Sequence, residues 1–228
     1  MSEKQNFVEA TDVFKCYTIG KKRIEVLKGI SLAVEKGSWT ALLGASGSGK
    51  TTLLNLLGTL ETPDSGTIFC DNTDFAKLTT RQANRFRNDR IGFIFQAYQM
   101  LPELTILENV NLPAMFKSDF TCGNMERAEE LLVKVGLKDR LKHRPAELSG
   151  GEQQRAAIAR AMINHPDLIL ADEPTGNLDT KTGAGILELF QALHDEQNSR
   201  TIIMITHNQK IAELADKIAC LEDGKISM

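Results

Sequence analysis

Residues 38–60 read SWTALLGASGSGKTTLLNLLGTL, and this stretch decides the fold. Its apolar start is typical of a buried strand, whereas the leucines of TTLLNLLGTL recur at helical spacing. Between the two, residues 44–51 read GASGSGKT and fit the pattern G-x-x-x-x-G-K-[ST]. The stretch therefore predicts a strand, a glycine-rich loop and a helix in direct succession.

A loop of this kind is suited to holding phosphate groups. Glycines let the backbone curl so that its N–H groups point inward, and the start of the following helix carries partial positive charge. Lys50 can neutralise the β and γ phosphates of a nucleotide, and Thr51 offers a hydroxyl to Mg²⁺. A glycine-rich turn could fit the pattern by chance, but the strand and helix on either side favour the phosphate site. The predicted nucleotide-binding residues here are Gly44, Ala45, Ser46, Gly47, Ser48, Gly49, Lys50, Thr51 and Thr52.

Composition and charge indicate a globular chain and bear on its partners and location. The 228 residues are 42% hydrophobic and 25% charged, with a formal net charge of −3, which is ordinary for a globular chain. Net acidity gives no reason to expect nucleic acid as a partner, so any bound anion must be held locally. No apolar run approaches the roughly 18–20 residues that a membrane helix requires, and MSEKQNFVEATDV lacks a signal-peptide core. We therefore expect a cytosolic chain.

The cysteines predict neither a zinc site nor a disulfide framework. All four are far apart and without CxxC spacing, which favours reduced, ordinary thiols. They are Cys16, Cys70, Cys122 and Cys220.

The rest of the chain alternates between strand and helix patterns. Short β-type runs, FVEATDVF, RIEVLKGI and SLAVEK, precede the glycine-rich loop, and TIFC follows it. A helix around TTRQANRFRND leads into the strand IGFIF, and helical patterns then prevail over about residues 97–165. Within them Asn124 can cap a helix that ends at Gly136. Strands return with DLILAD and TIIMIT, which predicts one α/β domain with a parallel core and a helical insert.

Polar residues follow three of these strands. Asp172 and Glu173 end DLILADE, at the strand terminus where ligands bind in parallel sheets. Asp172 suits the outer coordination shell of a hard cation that is bound mainly by water and phosphate, and Glu173 suits a base that polarises water, although an acidic pair at a strand end is commonly just solvated. Gln96 follows IGFIF and His207 follows TIIMIT; each has a structural interpretation as well as a functional one.

LSGGEQQR at 148–155 places Ser149, Gly150 and Gly151 immediately before a helix predicted from about Glu152 to Asn164. Such a start exposes unpaired backbone N–H groups beside a capping hydroxyl, which is either an ordinary cap or a second anion site. Tyr17 also has two interpretations, since its ring could stack on a nucleobase or pack within the N-terminal strands.

The sequence resembles the ATP-binding cassette (ABC) ATPases over essentially the whole chain. The motifs that carry this resemblance are, in chain order, the glycine-rich loop, Gln96, LSGGE, LILADEP, GNLD at 176–179 and His207. This resemblance implies a P-loop NTPase parallel-sheet core with an N-terminal antiparallel β subdomain and an inserted helical subdomain. It makes residues 1–228 one nucleotide-binding domain, which binds ATP and Mg²⁺ and hydrolyses ATP.

The resemblance also implies roles for single residues. Two copies pack head to tail, so that Ser149, Gly150 and Gly151 of one copy close over the γ-phosphate held by Lys50 of the other. Gln96 senses nucleotide and Mg²⁺ and links the site to a membrane partner, and His207 orients the γ-phosphate. The expected catalytic residues are therefore Lys50, Glu173 and His207, and the expected metal-binding residues are Thr51, Gln96 and Asp172. Tyr17 stacks on adenine and Asp179 communicates across the dimer. Glu152, where many members have Gln, is a departure that brings negative charge near the phosphates.

The residues within the motifs indicate which type of ABC ATPase the chain resembles. IGFIFQAYQMLPELTILENV and ADEPTGNLD resemble bacterial ATPases of lipoprotein-releasing, macrolide-exporting and cell-division complexes. The resemblance implies work with a membrane permease at the cytoplasmic face of the bacterial inner membrane, and because this chain has no predicted membrane span we expect that permease to be a separate polypeptide. We expect Tyr98, Met100, Leu101 and Leu104 to contribute to docking unless they pack internally. A solute-importer ATPase remains the alternative. A nucleic-acid machine or a small-molecule kinase fits less well, because no zinc insert is present and a kinase has no use for LSGGE.

Overall fold

The computed structural model describes residues 6–117, 123–195 and 200–227 and forms two β-sheets with helices on both faces of the larger one. Cys122, one of the four thiols considered above, lies outside these ranges. The strands are β1 Asn6–Ile19, β2 Lys22–Glu35, β3 Trp39–Leu43, β4 Ser65–Cys70, β5 Thr73–Asp74, β6 Ile91–Ile94, β7 Leu168–Asp172, β8 Thr201–Thr206, β9 Lys217–Glu222 and β10 Lys225–Ser227.

The helices lie between these strands, and every regular element described between β6 and β7 is helical. They are α1 Lys50–Leu57, α2 Thr80–Arg90, α3 Ile106–Asn111, α4 Gly123–Lys134, α5 Gly150–Met162, α6 Thr180–Asp195 and α7 Gln209–Ala212, with short 3-10 turns at Phe75–Lys77, Leu112–Phe116, Lys138–Arg140 and Pro145–Glu147.

The larger sheet has the strand order β10-β9-β3-β8-β7-β6, and every pairing in it except the β9–β10 hairpin is parallel. The smaller sheet, of order β2-β1-β4-β5, is antiparallel throughout. An α/β fold with a parallel core and an antiparallel N-terminal sheet is therefore confirmed. The parallel strands direct their carboxyl ends to one edge, which gathers the residues that follow them.

Alternation along the central strands divides the core into two layers. Leu168 and Leu170 of β7 belong to a layer with α1 and the antiparallel sheet, whereas Ile169 and Ala171 face the helices α3–α6. Successive side chains of a strand point to opposite faces, so an apolar run without polar interruptions can serve both layers. The leucines of α1 bury a continuous apolar face in the first layer.

Three boundaries differ from the sequence predictions. RIEVLKGI and SLAVEK, predicted as separate runs, are one 14-residue strand, β2. Gly29 is left-handed, with φ 76°, and lies against the Phe14 ring, where β1 and β2 shift register, so the glycine accommodates a bulge. Helix α5 starts at Gly150, so both glycines of LSGGE are already helical. Helix α4 starts at Gly123, which places Asn124 inside the helix, in contrast to the predicted cap.

Candidate nucleotide-binding site

The glycine-rich loop connects β3 to α1 and curls around the side chain of Lys50. The Lys50 ammonium group donates hydrogen bonds to the carbonyl oxygens of Gly44 at 2.9 Å and of Ala45 at 2.7 Å. Lys50 is only 5% exposed, so a cation lies inside the curve of the loop against neutral oxygens. An anion entering the loop would be a stronger partner for this ammonium group than the two carbonyls are.

Two glycines of the loop are required by their surroundings. A Cβ atom on Gly44 would lie 2.2 Å from the backbone oxygen of Leu221. Gly49 has φ 103°, and a Cβ there would lie 2.8 Å from Leu27 Cδ2. Larger residues at either position would force the loop away from β9 or β2, and with it the entry into α1.

The first strand-end acid contacts the loop helix directly. The hydroxyl of Thr51, in the first turn of α1, donates to Asp172 Oδ2 at 3.1 Å, where β7 ends. Burial raises the pKa of the Asp172 carboxyl, and the nearby Glu173 raises it too, while the Thr51 hydrogen bond and Lys50 act in the opposite direction. A hydroxyl and a carboxylate are therefore side by side, and Thr51 directly follows buried Lys50 in α1.

Glu173 and His207 form a pair at the ends of β7 and β8. The ring nitrogen Nδ1 of His207 lies 3.0 Å from Glu173 Oε2. Glu173 adopts the left-handed φ of 42°, and its backbone N–H donates to the Ile205 carbonyl at 3.1 Å, which fixes the turn out of β7. The Glu173 side chain is 20% exposed and that of His207 63%, so the carboxylate is the sheltered partner.

Gln96, which follows β6, lies beside Gly176 and Asn177 and close to the Glu173 carboxylate. Its side-chain amide donates to Asn177 Oδ1 at 3.2 Å, and the Asn177 amide donates to the Gln96 carbonyl at 3.0 Å. A Cβ on Gly176 would lie 2.9 Å from Gln96 Nε2 and 3.2 Å from Glu173 Oε2. The amide and the carboxylate thus flank one glycine, which leaves no room there for a side chain.

Tyr17 lies at the end of β1 on the α1 side of the loop. Its hydroxyl donates to Glu61 Oε2 at 2.6 Å, and Glu61 also accepts from the Asn55 amide at 3.1 Å. The ammonium group of Lys15 lies 5.5 Å from the centre of the Tyr17 ring. Burial and the Glu61 hydrogen bond raise the pKa of the Tyr17 phenol. The half-buried ring is therefore held in place near the helix that begins at the phosphate loop.

LSGGE forms the start of α5, away from the glycine-rich loop. Ser149 is the exposed N-cap, and its hydroxyl both accepts from the Glu152 N–H at 3.3 Å and donates to Glu152 Oε2 at 2.8 Å. A Cβ on Gly150 would lie 2.7 Å from the Tyr98 hydroxyl, and one on Gly151 would lie 2.2 Å from Thr182 Cγ2. The loop after β6 and the start of α6 therefore pack closely against this helix end, and a side chain at either glycine would displace Tyr98 or Thr182.

The structure gathers most of the predicted residues into one place and leaves one group elsewhere. Lys50, Thr51, Asp172, Glu173, His207 and Gln96 meet at the carboxyl edge of the parallel strands. Among residues 6–117, 123–195 and 200–227, no hydrogen bond links Ser149, Gly150 or Gly151 to residues 44–52. Asp179 caps α6 by accepting from the backbone of Lys181 and Thr182 at 3.1 and 3.0 Å.

Some contacts had no signal in the sequence. Arg160 of α5 donates to the carbonyls of Tyr98, at 2.7 Å, and Gln99, and both of those residues are left-handed. Arg140 pairs with Glu152, and Asn177 pairs with Gln96. Asn177 lies in GNLD and could have been selected on that ground; the two arginines belong to polar helical stretches in which nothing distinguishes them.

Met100 and Leu101, two of the expected docking residues, face different ways. Met100 packs against the core beneath α3–α6, whereas Leu101 is 45% exposed. Among the described residues, no helix is both long enough and apolar enough to cross a membrane.

Comparison with known proteins assigns this chain to a family. The ABC transporter family profile matches residues 27–176. The chain is 46% identical to the lipoprotein-releasing system ATP-binding protein LolD of Acinetobacter baylyi, covering 95% of each chain. It is 45% identical to the macrolide export ATP-binding/permease protein MacB of Mannheimia succiniciproducens, covering 97% of this chain and 34% of that longer protein.

Among solved structures, a dimeric ATP-binding cassette in a post-hydrolysis state with ADP and Pi superposes with a TM-score of 0.90. It is 39% identical, and the match covers 97% of both chains. The glycine-rich loop, the strand-end carboxylates and the separate LSGGE helix are arranged on this shared fold. The chain belongs to the ABC transporter ATP-binding proteins and is an ATPase.

Proposed function

We propose that this ATPase works as a head-to-tail dimer that closes around two MgATP molecules and drives a separate membrane permease. The observation that carries the proposal is the position of Ser149. It is an exposed helix cap, and no hydrogen bond within the described ranges ties it to the chain's own glycine-rich loop. A helix start attracts anions, so a triphosphate from a second copy is a fitting occupant.

In each site the phosphates lie against the backbone of residues 44–52. Lys50 exchanges its two carbonyl partners for the β and γ phosphates, which neutralises charge that the acidic chain otherwise repels. The held ring of Tyr17 stacks on adenine, and Glu61 keeps its orientation.

The oxygen groups present suit Mg²⁺. Thr51 and Asp172 place a hydroxyl and a carboxylate 3.1 Å apart, and Gln96 adds an amide at the same edge. Hard oxygen ligands are those that Mg²⁺ prefers, with the rest of its coordination from phosphate and water. When bound, the ion neutralises charge on the phosphate oxygens.

Hydrolysis depends on Glu173 and His207. Glu173 accepts the proton of the attacking water, because its sheltered carboxylate faces the same edge as the phosphate loop. His207, 3.0 Å from that carboxylate, orients it and reaches the γ-phosphate with its remaining ring nitrogen. Ser149, Gly150 and Gly151 of the other copy complete the pocket, and Asp179 lies at the interface of the two copies.

The partner on the membrane side is an integral permease, with the ATPase at the cytoplasmic face of the bacterial inner membrane. Support comes from relatives named for lipoprotein release and macrolide export, which do not favour the importer alternative. Residues 97–165 act as the helical subdomain that meets the permease. Exposed Leu101 and Phe116, 45% and 75% accessible, offer apolar contacts there. Phe116 also borders a groove of about 560 Å³ lined by Arg81 and Arg85.

A mixing experiment tests the head-to-tail arrangement. The Lys50→Ala chain has a defective phosphate loop, and the Ser149→Asp chain keeps a good helix cap but repels a phosphate. Each alone should hydrolyse ATP very slowly. In a mixed dimer, one site combines both defects and the other has none. An equal mixture should therefore recover up to about a quarter of the wild-type rate, since half of randomly assorted dimers are mixed.

As controls, the melting temperature of each variant is compared with that of the wild-type chain, and the ATPase rate of the wild-type chain is measured. No recovery in the mixture, from two variants that fold and from a wild-type chain that hydrolyses ATP, would contradict completion of the site by the second copy.

A further inference from the structure

Glu152 brings a negative charge to the helix start that is proposed to meet a triphosphate. It is the third residue of α5, and its Oε2 accepts from both the backbone N–H and the hydroxyl of Ser149 at 2.8 Å. Hydrogen bonds from Arg140 and then from Ser149 lower the pKa of the Glu152 carboxyl to about 2. The group therefore remains charged at neutral pH, and protonation cannot remove its repulsion of phosphate.

Arg140 supplies the opposite charge from a separate segment. Its guanidinium Nε lies 2.9 Å from Glu152 Oε1, the oxygen that Ser149 does not use. The arginine ends the 3-10 turn Lys138–Arg140, where its N–H donates to the carbonyl of buried Leu137 at 3.0 Å. The carboxylate is thus held between two partners, one oxygen for each.

We propose that Arg140 is a positioning residue for closure of the dimer: by pairing with Glu152 it neutralises and holds back the carboxylate beside Ser149, so that a second copy's triphosphate can approach. The inference rests on the proposed function, since it requires an anion to arrive at the start of α5.

The hydroxyl of Ser149 adds a second step. It donates to Glu152 Oε2 in the nucleotide-free chain and must turn away from that oxygen in order to donate to a phosphate. Glu152 then keeps the Ser149 backbone N–H and Arg140 as partners. Without Arg140, the turn of the hydroxyl leaves a carboxylate with one neutral partner next to a highly charged ligand. The ion pair therefore lowers the cost of freeing the hydroxyl.

The test measures the MgATP concentration at which half of a Glu173→Gln chain is dimeric, by gel filtration or light scattering. In this background Arg140→Gln should raise that concentration about five-fold, and less at high salt, because the repulsion of partly exposed charges is screened. Glu152→Gln alone should stay within about two-fold of the parent, since it removes the charge that Arg140 offsets. The double variant Arg140→Gln/Glu152→Gln should return to the parent value.

Arg144→Gln is the matched control, because it removes an arginine from the same segment that makes no hydrogen bond or ion pair with Glu152 among the described residues. It should leave the threshold unchanged. Arg140→Lys keeps the charge, so its MgATP concentration for half dimerisation should be close to that of the parent. If Arg140→Gln loses thermal stability, the result for Arg140→Lys tests the inference instead.

Recovery in the double variant is the result that a merely structural role of Arg140 does not produce. Three results would overturn the inference while leaving the dimer intact. The MgATP concentration for half dimerisation could be unchanged in Arg140→Gln, it could be as high in the double variant as in Arg140→Gln, or it could be as high in Arg140→Lys as in Arg140→Gln. A parent chain that never dimerises with MgATP would contradict the proposed function and the inference together.

Discussion

The contact between Gly151 and Thr182 permits a quantitative test of how the LSGGE helix is placed. Gly151 is buried in the first turn of α5, and a Cβ there would lie 2.2 Å from Thr182 Cγ2 in α6. Carbon atoms pack best at about 3.5–4.0 Å, so Gly151→Ala requires the two helices to separate by roughly 1.5 Å or Thr182 to leave its rotamer. Overpacking of this kind costs about 1–3 kcal/mol.

Alanine also favours a helix over glycine by up to about 1 kcal/mol, so the net loss for Gly151→Ala should be about 1 kcal/mol. The companion change Thr182→Ser removes the methyl group alone. The next atom, Thr182 Cβ, is 3.7 Å from the added Cβ, which is an ordinary contact. The double variant Gly151→Ala/Thr182→Ser should therefore be about as stable as Thr182→Ser, with a coupling of at least about 1 kcal/mol.

Urea unfolding of the nucleotide-free chain measures the four free energies of this cycle. Gly185→Ala is the matched control, since Gly185 is in α6 and no atom lies within 4 Å of an added Cβ. That variant should be stabilised by up to about 1 kcal/mol. If Gly151→Ala and Thr182→Ser change stability additively, within about 0.5 kcal/mol, the packing of LSGGE against α6 is not as described.

Three further predictions concern the nucleotide and the charge at Glu152. Lys50→Ala should weaken ATP binding at least about ten-fold, because the ammonium group inside the loop is the charge that offsets the phosphates; calorimetric titration measures this, and undiminished affinity would exclude the role. Tyr17→Ala should lose about 1–3 kcal/mol of nucleotide affinity by the same titration, whereas Tyr17→Phe, which keeps the ring but loses the Glu61 hydrogen bond, should lose less; equal affinities for wild type and Tyr17→Ala would rule out stacking. The pKa of Glu152 falls from 4.5 to about 2 on folding, so its contribution to stability is complete above pH 4.5 and is lost as the pH falls from there to 2. The difference in melting temperature between wild type and Glu152→Gln should therefore vanish over that range. A difference that does not depend on pH would contradict the assigned contacts.

Local patterns in the sequence were sufficient for the core of the fold. The strand, glycine-rich loop and α1 follow from a motif of fixed spacing, and the apolar runs of β7 and β8 are buried on both faces, as such runs predict. The hairpin of β9 and β10 was missed although residues 223 and 224 read DG, a dipeptide typical of a two-residue hairpin turn, and both residues are left-handed in the structure.

The candidate site was predictable as far as its residues follow strands. Asp172, Glu173, Gln96 and His207 each come after a strand of one parallel sheet, and this topology alone brings them to the same edge. The pairing of Arg140 with Glu152 could not be predicted, because it depends on how a 3-10 turn packs beside α5. Contacts between segments that are both polar and exposed carry no periodic pattern for sequence to reveal.

The most direct test of the central claim is the mass of the Glu173→Gln chain in solution, measured by light scattering with and without MgATP. Replacing the carboxylate that accepts the proton leaves Lys50, Thr51 and the LSGGE helix in place, so ATP should bind and persist. The expected result is a particle of twice the mass of one chain that carries two ATP molecules and disappears when Ser149→Asp is added. A chain that binds ATP fully and remains a monomer would contradict the account.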